Sequence, residues 1–231
     1  KQHCQSCTPQ FLRETLKLAH RMSNQQLLIR LDSGNDAQEN MGILLEDGSW
    51  FIIKRNLRKE SKEAWLNEVK SCCKDIREPR DGKTVYVGSS WRDIEYIDKD
   101  GKPRNQCMRM VYEITERTID KYGQILMLPD IEVNMWWTNL DWTDDEIIES
   151  YHAHGECEQY HSELKTDMDV ERLPSGKFDT NALVLKLAMI AYNLLRMIGQ
   201  ESLRHKPDQK SGLNAAESVP SSETPSYWQV K

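Results

Sequence analysis

The residues that could do chemistry together lie close to one another late in the chain. Tyr151, His154, Glu158 and Lys165 stand at offsets of 0, 3, 7 and 14 residues. A helix turns by about 100° per residue, so these offsets place an aromatic ring, an imidazole, an acid and a base on one narrow stripe. A further carboxylate, Asp32, comes directly after a short apolar run. By periodicity alone, the stripe is better explained as a solvated charged face of a helix.

Two metal-binding interpretations of the sequence are weaker. Cys4 and Cys7 form a Cys-x-x-Cys pair that could bind zinc with Cys72 and Cys73. Two adjacent cysteines close a tetrahedral site poorly, and a single such pair is not specific. Histidines and glutamates between residues 152 and 161 could suggest a metallohydrolase. They lack the His-Glu-x-x-His order that places two imidazoles on one helix face.

Composition limits the class of protein. With 231 residues and 38% hydrophobic content, the chain can bury one sizeable core, with room for an inserted domain. A net charge of −6 argues weakly against nucleic acid as a ligand, although a local basic patch can still bind phosphate. Six scattered cysteines favour reduced thiols in the cytosol. The apolar segment near 181–198 contains charged residues, and it is interpreted as a core helix and not as a membrane anchor.

The first part of the chain predicts alternating helices and strands. Helical spacing of apolar residues predicts a helix over 8–22. The run 27–31 predicts a mostly buried strand that ends at Asp32. A helix over 36–46 and a second buried strand over 50–53 follow. This α–β–α–β order is typical of an α/β sheet with helices packed on it.

The rest of the chain changes character twice. The charged stretch 54–80 predicts a helix plus a linker, and residues 80–142 alternate apolar and polar side chains between turn signals, as an antiparallel β insertion does. A helix over 143–168, with Thr143 as its N-cap, and a long helix over 180–201 follow. The Ser-, Pro- and Glu-rich tail over 206–231 is predicted to be disordered.

The residues of the stripe and the sequence around them resemble the motifs of a known family. Tyr-x-x-Arg-x-x-x-Glu-x-x-x-x-x-x-Lys is the signature helix of one large class of insertion-sequence transposases, and His154 stands where that signature has arginine. Further matches are Arg30-Leu31-Asp32-Ser33-Gly34-Asn35, Trp137-Thr138-Asn139-Leu140, Arg172-Leu173-Pro174-Ser175-Gly176, Asn181-Ala182 and Ala191-Tyr192-Asn193-Leu194-Leu195. In order and spacing, the sequence therefore resembles the group 1 DDE-domain transposases from about residue 1 to residue 205.

The resemblance implies a fold and its divisions. The expected architecture is a partial RNase H-like core, of the α/β class, interrupted by a β-rich insertion. Residues 1–79 would form the first part of the core, and residues 80–142 the insertion. Residues 143–205 would return to the core with the glutamate helix and the closing helix, and residues 206–231 would be the tail.

The resemblance also implies an activity and its residues. Asp32 and Glu158 would be catalytic carboxylates that hold Mg²⁺ or Mn²⁺ in a two-metal site for phosphodiester cleavage and strand transfer. Tyr151, His154 and Lys165 would contact DNA near that site. The implied partners are transposon ends, target DNA and a second copy of the chain in a homodimer, without a membrane. The implied location is the bacterial cytoplasm, at the nucleoid.

Two departures from the family pattern affect the expected activity. Histidine cannot make the bidentate phosphate contact of arginine, so the role of His154 differs from that of the family residue. The family has a first catalytic aspartate upstream of the second, whereas the 31 residues before Asp32 contain no aspartate. The chain is therefore expected to be truncated and inactive by itself. The alternative is a non-catalytic remnant that binds DNA or dimerises.

Overall fold

A computed structural model describes residues 7–153, 162–204 and 229–230 of the chain. The chain divides into a core unit, residues 1–152 with 225–231, and a C-terminal unit, residues 153–224. The core unit is a mixed α/β structure built on one sheet.

The described elements alternate helix and strand before a run of long strands. The helices of the core unit are α1 (Thr8–Met22), α2 (Gln38–Asp47), α3 (Lys62–Cys72) and α4 (Asp144–His152). Its strands are β1 (Leu28–Leu31), β2 (Trp50–Lys54), β3 (Asp75–Arg80), β4 (Lys83–Ile97), β5 (Pro103–Ile119), β6 (Ile125–Thr138) and β7 (Gln229–Val230).

The sheet has the strand order β3-β4-β5-β6-β2-β1-β7. Strands β1 and β2 are parallel, with Leu28 opposite Trp50 and Leu31 opposite Ile53. Strand β6 pairs antiparallel to β2, and β3 to β6 form an antiparallel meander. Because β6 pairs with both β5 and β2, the β-rich middle of the chain and the parallel pair belong to one continuous sheet.

Both faces of the sheet are covered near β1 and β2, which explains why these short strands are almost wholly apolar. On one face, α1, α2 and α3 contribute Leu12, Leu44 and Leu66 to a core that contains Phe51. On the other face, α4 packs on a cluster built around Trp136. The carboxyl ends of β1 and β2 are thus held in a rigid layer.

The predicted element types in the core unit agree with the structure, with shifted boundaries. The stretch predicted as helix plus linker over 54–80 instead ends in the strand Asp75–Arg80, where all six residues are exposed. No periodic apolar signal marks such an edge strand, so no local pattern predicts it. Trp136 and Trp137, near the end of β6, are both buried in the core.

The C-terminal unit contains a π-helical turn over Glu163–Asp167 and a long helix, α5, over Phe178–Arg204. Among the described residues, Phe178–Ser202 is the one helix long and apolar enough to cross a membrane, which is weak evidence on its own. Lys186 and Arg196 within it would be costly in a bilayer. The helix forms as predicted, but none of its apolar window is buried, so burial in a core is not seen.

The end of the chain is described only in part. Of the predicted disordered tail over 206–231, residues 206–228 and 231 lie outside the described residues. Gln229 and Val230 form a strand that runs parallel to β1 in the sheet, opposite Leu28 and Ile29. For these two residues the structure therefore differs from the prediction.

Candidate active site

Asp32 directly follows β1, at the strand end where the sequence places it. Its side chain is exposed, and Oδ1 accepts hydrogen bonds from the Gly34 backbone N–H at 3.0 Å and from Asn35 Nδ2 at 2.7 Å. Within the described part of the chain, both hydrogen bonds of this carboxylate go to Oδ1. The Oδ2 atom therefore keeps its lone pairs for a ligand, and Oδ1 has further acceptor capacity.

The turn after Asp32 is braced from two helices. Thr8, at the start of α1, donates its hydroxyl to Asn35 Oδ1 at 3.2 Å. Asn40, in α2, donates its side-chain amide to the Asn35 carbonyl at 2.9 Å. These two bonds hold the turn in place, and the turn holds the carboxylate. The Asp32 side chain is therefore exposed but has a fixed position.

Asp36 is a structural carboxylate that sequence reasoning did not identify. It is buried, and its Oδ1 accepts from the Trp137 indole N–H at 3.1 Å, while Oδ2 accepts from the Asn56 backbone N–H at 2.9 Å. It therefore joins the end of β6 to the segment that follows β2. A buried carboxylate needs such hydrogen-bond donors. No local sequence pattern predicts donors as far along the chain as Asn56 and Trp137.

Arg30 connects β1 to the last turn of α4. It is a buried cation within an apolar strand, and its guanidinium donates to the Ser150 carbonyl. The carbonyls at the end of a helix carry partial negative charge, which suits a guanidinium. The bond ties the motif around Asp32 to the helix that leads toward Glu158, eight residues after Ser150.

The predicted stripe is only partly visible. Tyr151 is half-buried, and its ring lies 5.6 Å from the Trp136 ring, so it packs against the sheet. Lys165 is exposed on the π-helical turn of the C-terminal unit. His154 and Glu158 lie outside the described residues. The helix predicted over 143–168 is described as α-helix over Asp144–His152, and the described residues do not test whether Tyr151 and Lys165 share one stripe.

The acidic first turn of α4 does more than suit the helix end. Asp144 pairs with Arg109 of β5 at 2.6 Å, and Asp145 pairs with Arg77 of β3 at 2.8 Å. These pairs anchor the start of the helix on the antiparallel strands. The same acids also complement the positive end of the helix dipole.

A capping box closes the same helix end. The Glu146 carboxylate accepts from the Thr143 backbone N–H and hydroxyl, both at 2.8 Å, and Thr143 Oγ1 accepts from the Glu146 N–H at 3.3 Å. Thr143 therefore caps the helix as predicted. The bond from the Thr143 backbone N–H, followed by that from its hydroxyl, lowers the pKa of Glu146 below its ordinary value.

This capping box predicts a pH dependence. A carboxylate whose pKa is depressed on folding stabilises the protein above its unfolded pKa, about 4.3, and the contribution is lost as pH falls through the folded pKa. The wild type should therefore melt at a higher temperature than Glu146→Gln at neutral pH, and this difference should shrink on acidification. Circular dichroism melts of both proteins across the acidic range measure it. A difference that grows on acidification would contradict the assignment.

A cleft of about 750 Å³ opens beside the carboxyl ends of β1 and β2, and Asp36, Arg58 and Arg92 are among the residues that line it. Its wall contains a stack in which the Arg55 guanidinium lies 5.3 Å from the Trp65 ring centre, with Arg92 at 5.6 Å.

Two arginines of this wall already have acidic partners. Arg55 binds Glu60 through both terminal nitrogens, at 2.9 and 2.6 Å, and Arg92 binds Glu68 at 2.7 Å. Partial burial tends to raise the pKa of Glu60, but hydrogen bonds from Arg55 and Trp65 outweigh it, and the pKa lies below its ordinary value. The stack and its ion pairs therefore form a fixed wall.

The described residues do not form a complete metal site. Over residues 7–153, 162–204 and 229–230, no group of three or more His, Cys, Asp or Glu side chains is placed to hold a metal ion. The Cys72 thiol donates a hydrogen bond to the Glu68 carbonyl of α3, whereas the Cys73 thiol donates to the Val87 carbonyl of β4. The two thiols therefore bind different elements. Cys4, which the zinc interpretation needs, lies outside the described residues.

Comparison with known proteins decides the family. A family model described as transposase DDE domain group 1 matches residues 1–214. The chain belongs to this transposase family. No curated protein matches the chain significantly. The match covers nearly the whole core unit together with α5, and so it includes every residue that the sequence analysis assigned to the site.

Membership of the DDE transposase family has consequences for chemistry and partners. The family acts on DNA and is in general metal-dependent, and its members work inside the cell. In this transposase domain, the exposed carboxylate of Asp32 offers the hard oxygen ligand that Mg²⁺ and Mn²⁺ prefer. One carboxylate is compatible with such an ion but does not define its site.

Proposed function

We propose that this chain forms part of the catalytic domain of an insertion-sequence transposase and that Asp32 and Glu158 are two of its metal-binding carboxylates. The reaction is cleavage and strand transfer at the ends of the element. The domain is an RNase H-like core, formed by residues 1–79 and 143–205, with the strands of residues 80–142 as its insertion. The observation that carries the proposal is an exposed carboxylate fixed at the carboxyl end of a buried parallel strand, in a chain of this family.

The connection through Arg30 supports the pairing of Asp32 with Glu158. Arg30 lies two residues before Asp32 and binds the Ser150 carbonyl. The described end of α4 therefore lies beside the strand that carries Asp32, and the proposal places Glu158 eight residues further along the same segment.

The two carboxylates would hold a hard divalent ion between them. Such an ion, when bound, stabilises charge on the attacking and leaving oxygens of a phosphodiester. The chain itself positions the ligand atoms. The turn after β1 fixes Oδ1 of Asp32 through two hydrogen bonds, and Oδ2 would supply an oxygen ligand to the ion. DNA contacts by Tyr151, His154 and Lys165, association with a second copy and a location at the nucleoid belong to the same proposal.

The test is a titration of the chain with Mn²⁺. Asp32→Asn and Glu158→Gln keep the shape of each side chain but remove its negative charge, so each should lose the same weak binding event. Isothermal titration calorimetry measures the loss. Asp81→Asn, in the exposed turn between β3 and β4, is the matched control and should bind as the wild type does.

The outcomes separate the two functional interpretations. Equal loss in both variants supports a shared site. Mn²⁺ binding that survives either substitution would exclude that residue as a ligand. A chain that binds DNA but shows no carboxylate-dependent Mn²⁺ binding would instead fit a non-catalytic remnant of a transposase.

A further inference from the structure

The most basic short segment of this acidic chain follows β2. Residues 54–62 contain five cations, namely Lys54, Arg55, Arg58, Lys59 and Lys62, and one acid, Glu60. Their net charge is +4 (five minus one), whereas the chain as a whole has a net charge of −6. We call residues 54–62 the basic segment. Its charge is complementary to a DNA backbone and opposite to that of the rest of the protein.

The fold places the basic segment beside Asp32. Strands β1 and β2 are parallel, so the residues that follow them emerge at the same edge of the sheet. Asn56 donates its side-chain amide to the Ser33 carbonyl at 3.4 Å and its backbone N–H to Asp36 at 2.9 Å. Arg58 donates to the Asp36 carbonyl at 3.2 Å. The basic segment is thus bonded directly to the turn that carries Asp32.

Arg58 is held in an unusual backbone conformation. Its φ is 53°, in the left-handed region that glycine adopts more easily than any residue with a Cβ. The side chain of Asn56 accepts the Arg58 N–H at 2.9 Å and so supports this conformation. Backbone strain of this kind persists where the surrounding structure enforces it, and it is frequent at ligand sites. The conformation gives a reason to look for a function of the arginine side chain.

The hydrogen bonds in the cleft single out Arg58 among the arginines. The guanidinium groups of Arg55 and Arg92 bind carboxylates, through Glu60 and Glu68. In the portion of the chain that is described, the side-chain hydrogen bond of Arg58 goes instead to a neutral carbonyl. A guanidinium has five N–H donors, so most of its donors remain for a phosphate.

We propose that the basic segment binds the DNA backbone next to Asp32 and that Arg58 is its fixed phosphate donor. This inference rests on the proposed function, because it places a DNA strand at the edge of the sheet where Asp32 lies. Arg58 acts as a positioning residue that holds a phosphate while the carboxylates act on the phosphodiester. The other cations of the segment add an attraction that depends on salt.

The experiment uses the 231-residue chain, a short fluorescein-labelled DNA duplex and fluorescence anisotropy over a series of KCl concentrations. Arg58→Gly should weaken binding by about tenfold and reduce the slope of log Kd against log salt by about 1. Its melting temperature should be equal to or above that of the wild type, because glycine accepts the backbone conformation. Arg58→Asn is the second variant, since asparagine also tolerates this conformation and carries no charge.

Lys17→Ala is the matched control, because Lys17 is an exposed cation on α1 outside the basic segment. It should leave the affinity and the salt slope close to those of the wild type. Unchanged DNA binding in both Arg58 variants would overturn the proposal. An equal loss in Lys17→Ala would also overturn it, since attraction would then depend on net charge alone.

The Mn²⁺ titration keeps this inference separate from the proposed function. If Mn²⁺ binding depends on Asp32 while the Arg58 variants bind DNA normally, only the basic segment proposal fails. If the Arg58 variants lose DNA affinity while Asp32→Asn binds Mn²⁺ normally, the basic segment binds DNA but the metal site is elsewhere.

Discussion

Trp136→Ala should lower the free energy of unfolding by about 3 to 5 kcal/mol. The Trp136 side chain is fully buried, and its ring lies 5.6 Å from the Tyr151 ring and 6.0 Å from that of His152. Alanine leaves a cavity between the sheet and the last turn of α4. Because whole domains are stable by only about 5 to 15 kcal/mol, the loss is a large fraction of the total. Urea unfolding followed by circular dichroism measures it.

Trp136→Phe is the control for this experiment. The Trp136 indole N–H is buried and has no hydrogen-bond partner among the residues that the structure describes. Phenylalanine retains a ring and removes this unsatisfied donor, so it should cost clearly less than alanine. If alanine and phenylalanine destabilise the protein equally, or if alanine costs under about 1 kcal/mol, the packing between α4 and the sheet is not what holds this helix.

The second large effect concerns catalysis. The 231-residue chain should nick DNA in Mn²⁺ no faster than its Glu158→Gln variant. Mg²⁺ and Mn²⁺ need several oxygen ligands, and two metal ions about 4 Å apart need a carboxylate that bridges them. In the proposed site, Asp32 and Glu158 would hold one ion, and residues 1–31 of the tested 231-residue chain contain no aspartate to act as the family's first carboxylate. Without that ligand, the attacking and leaving oxygens are not stabilised together.

The measurement is nicking of labelled DNA that carries the ends of the element. Both proteins should give the same background rate, while DNA binding through the basic segment persists in each. Rapid nicking by the wild type that Glu158→Gln abolishes would contradict the prediction. It would show that another carboxylate of the chain, or of a second copy, completes the site.

Arg30 shows how the fold joins segments that are distant in sequence. Its neighbours Leu28 and Leu31 are ordinary buried strand residues, whereas Arg30 extends a guanidinium to the carbonyl of Ser150. A buried guanidinium requires acceptors, and the end of α4 provides one. The strand that carries Asp32 therefore positions the helix that precedes Glu158. The arginine of the Arg-Leu-Asp motif therefore has a structural role, which is to bond β1 to the end of α4.

Several features followed from the sequence because their signals are local. The apolar runs before Asp32 and over 50–53 predicted buried strands, and alternation predicted the antiparallel strands β4 to β6. Thr143 was predicted as a helix cap because the preference for threonine at the N-cap position of a helix is local. The family, too, followed from the order and spacing of short motifs, and the match over residues 1–214 confirms it.

Other features depend on contacts between distant residues, and no local pattern encodes these. Asp36 binds Trp137 and Asn56, which lie 101 and 20 residues away. The strand β3 lacks an apolar face, and only pairing with β4 makes it a strand. The residue type does not favour the left-handed backbone of Arg58, which is supported by the hydrogen bond from its N–H to the Asn56 side chain.

The sequence by itself determined the family, the mixed α/β class and the place of Asp32 at a strand end. It did so because strand patterns and motif spacing are properties of neighbouring residues. Only the tertiary structure showed that the basic segment lies against the turn after Asp32, since that contact depends on the parallel pairing of β1 with β2. Which charges meet in space is decided by the register of the sheet, and register is set by packing over the whole core.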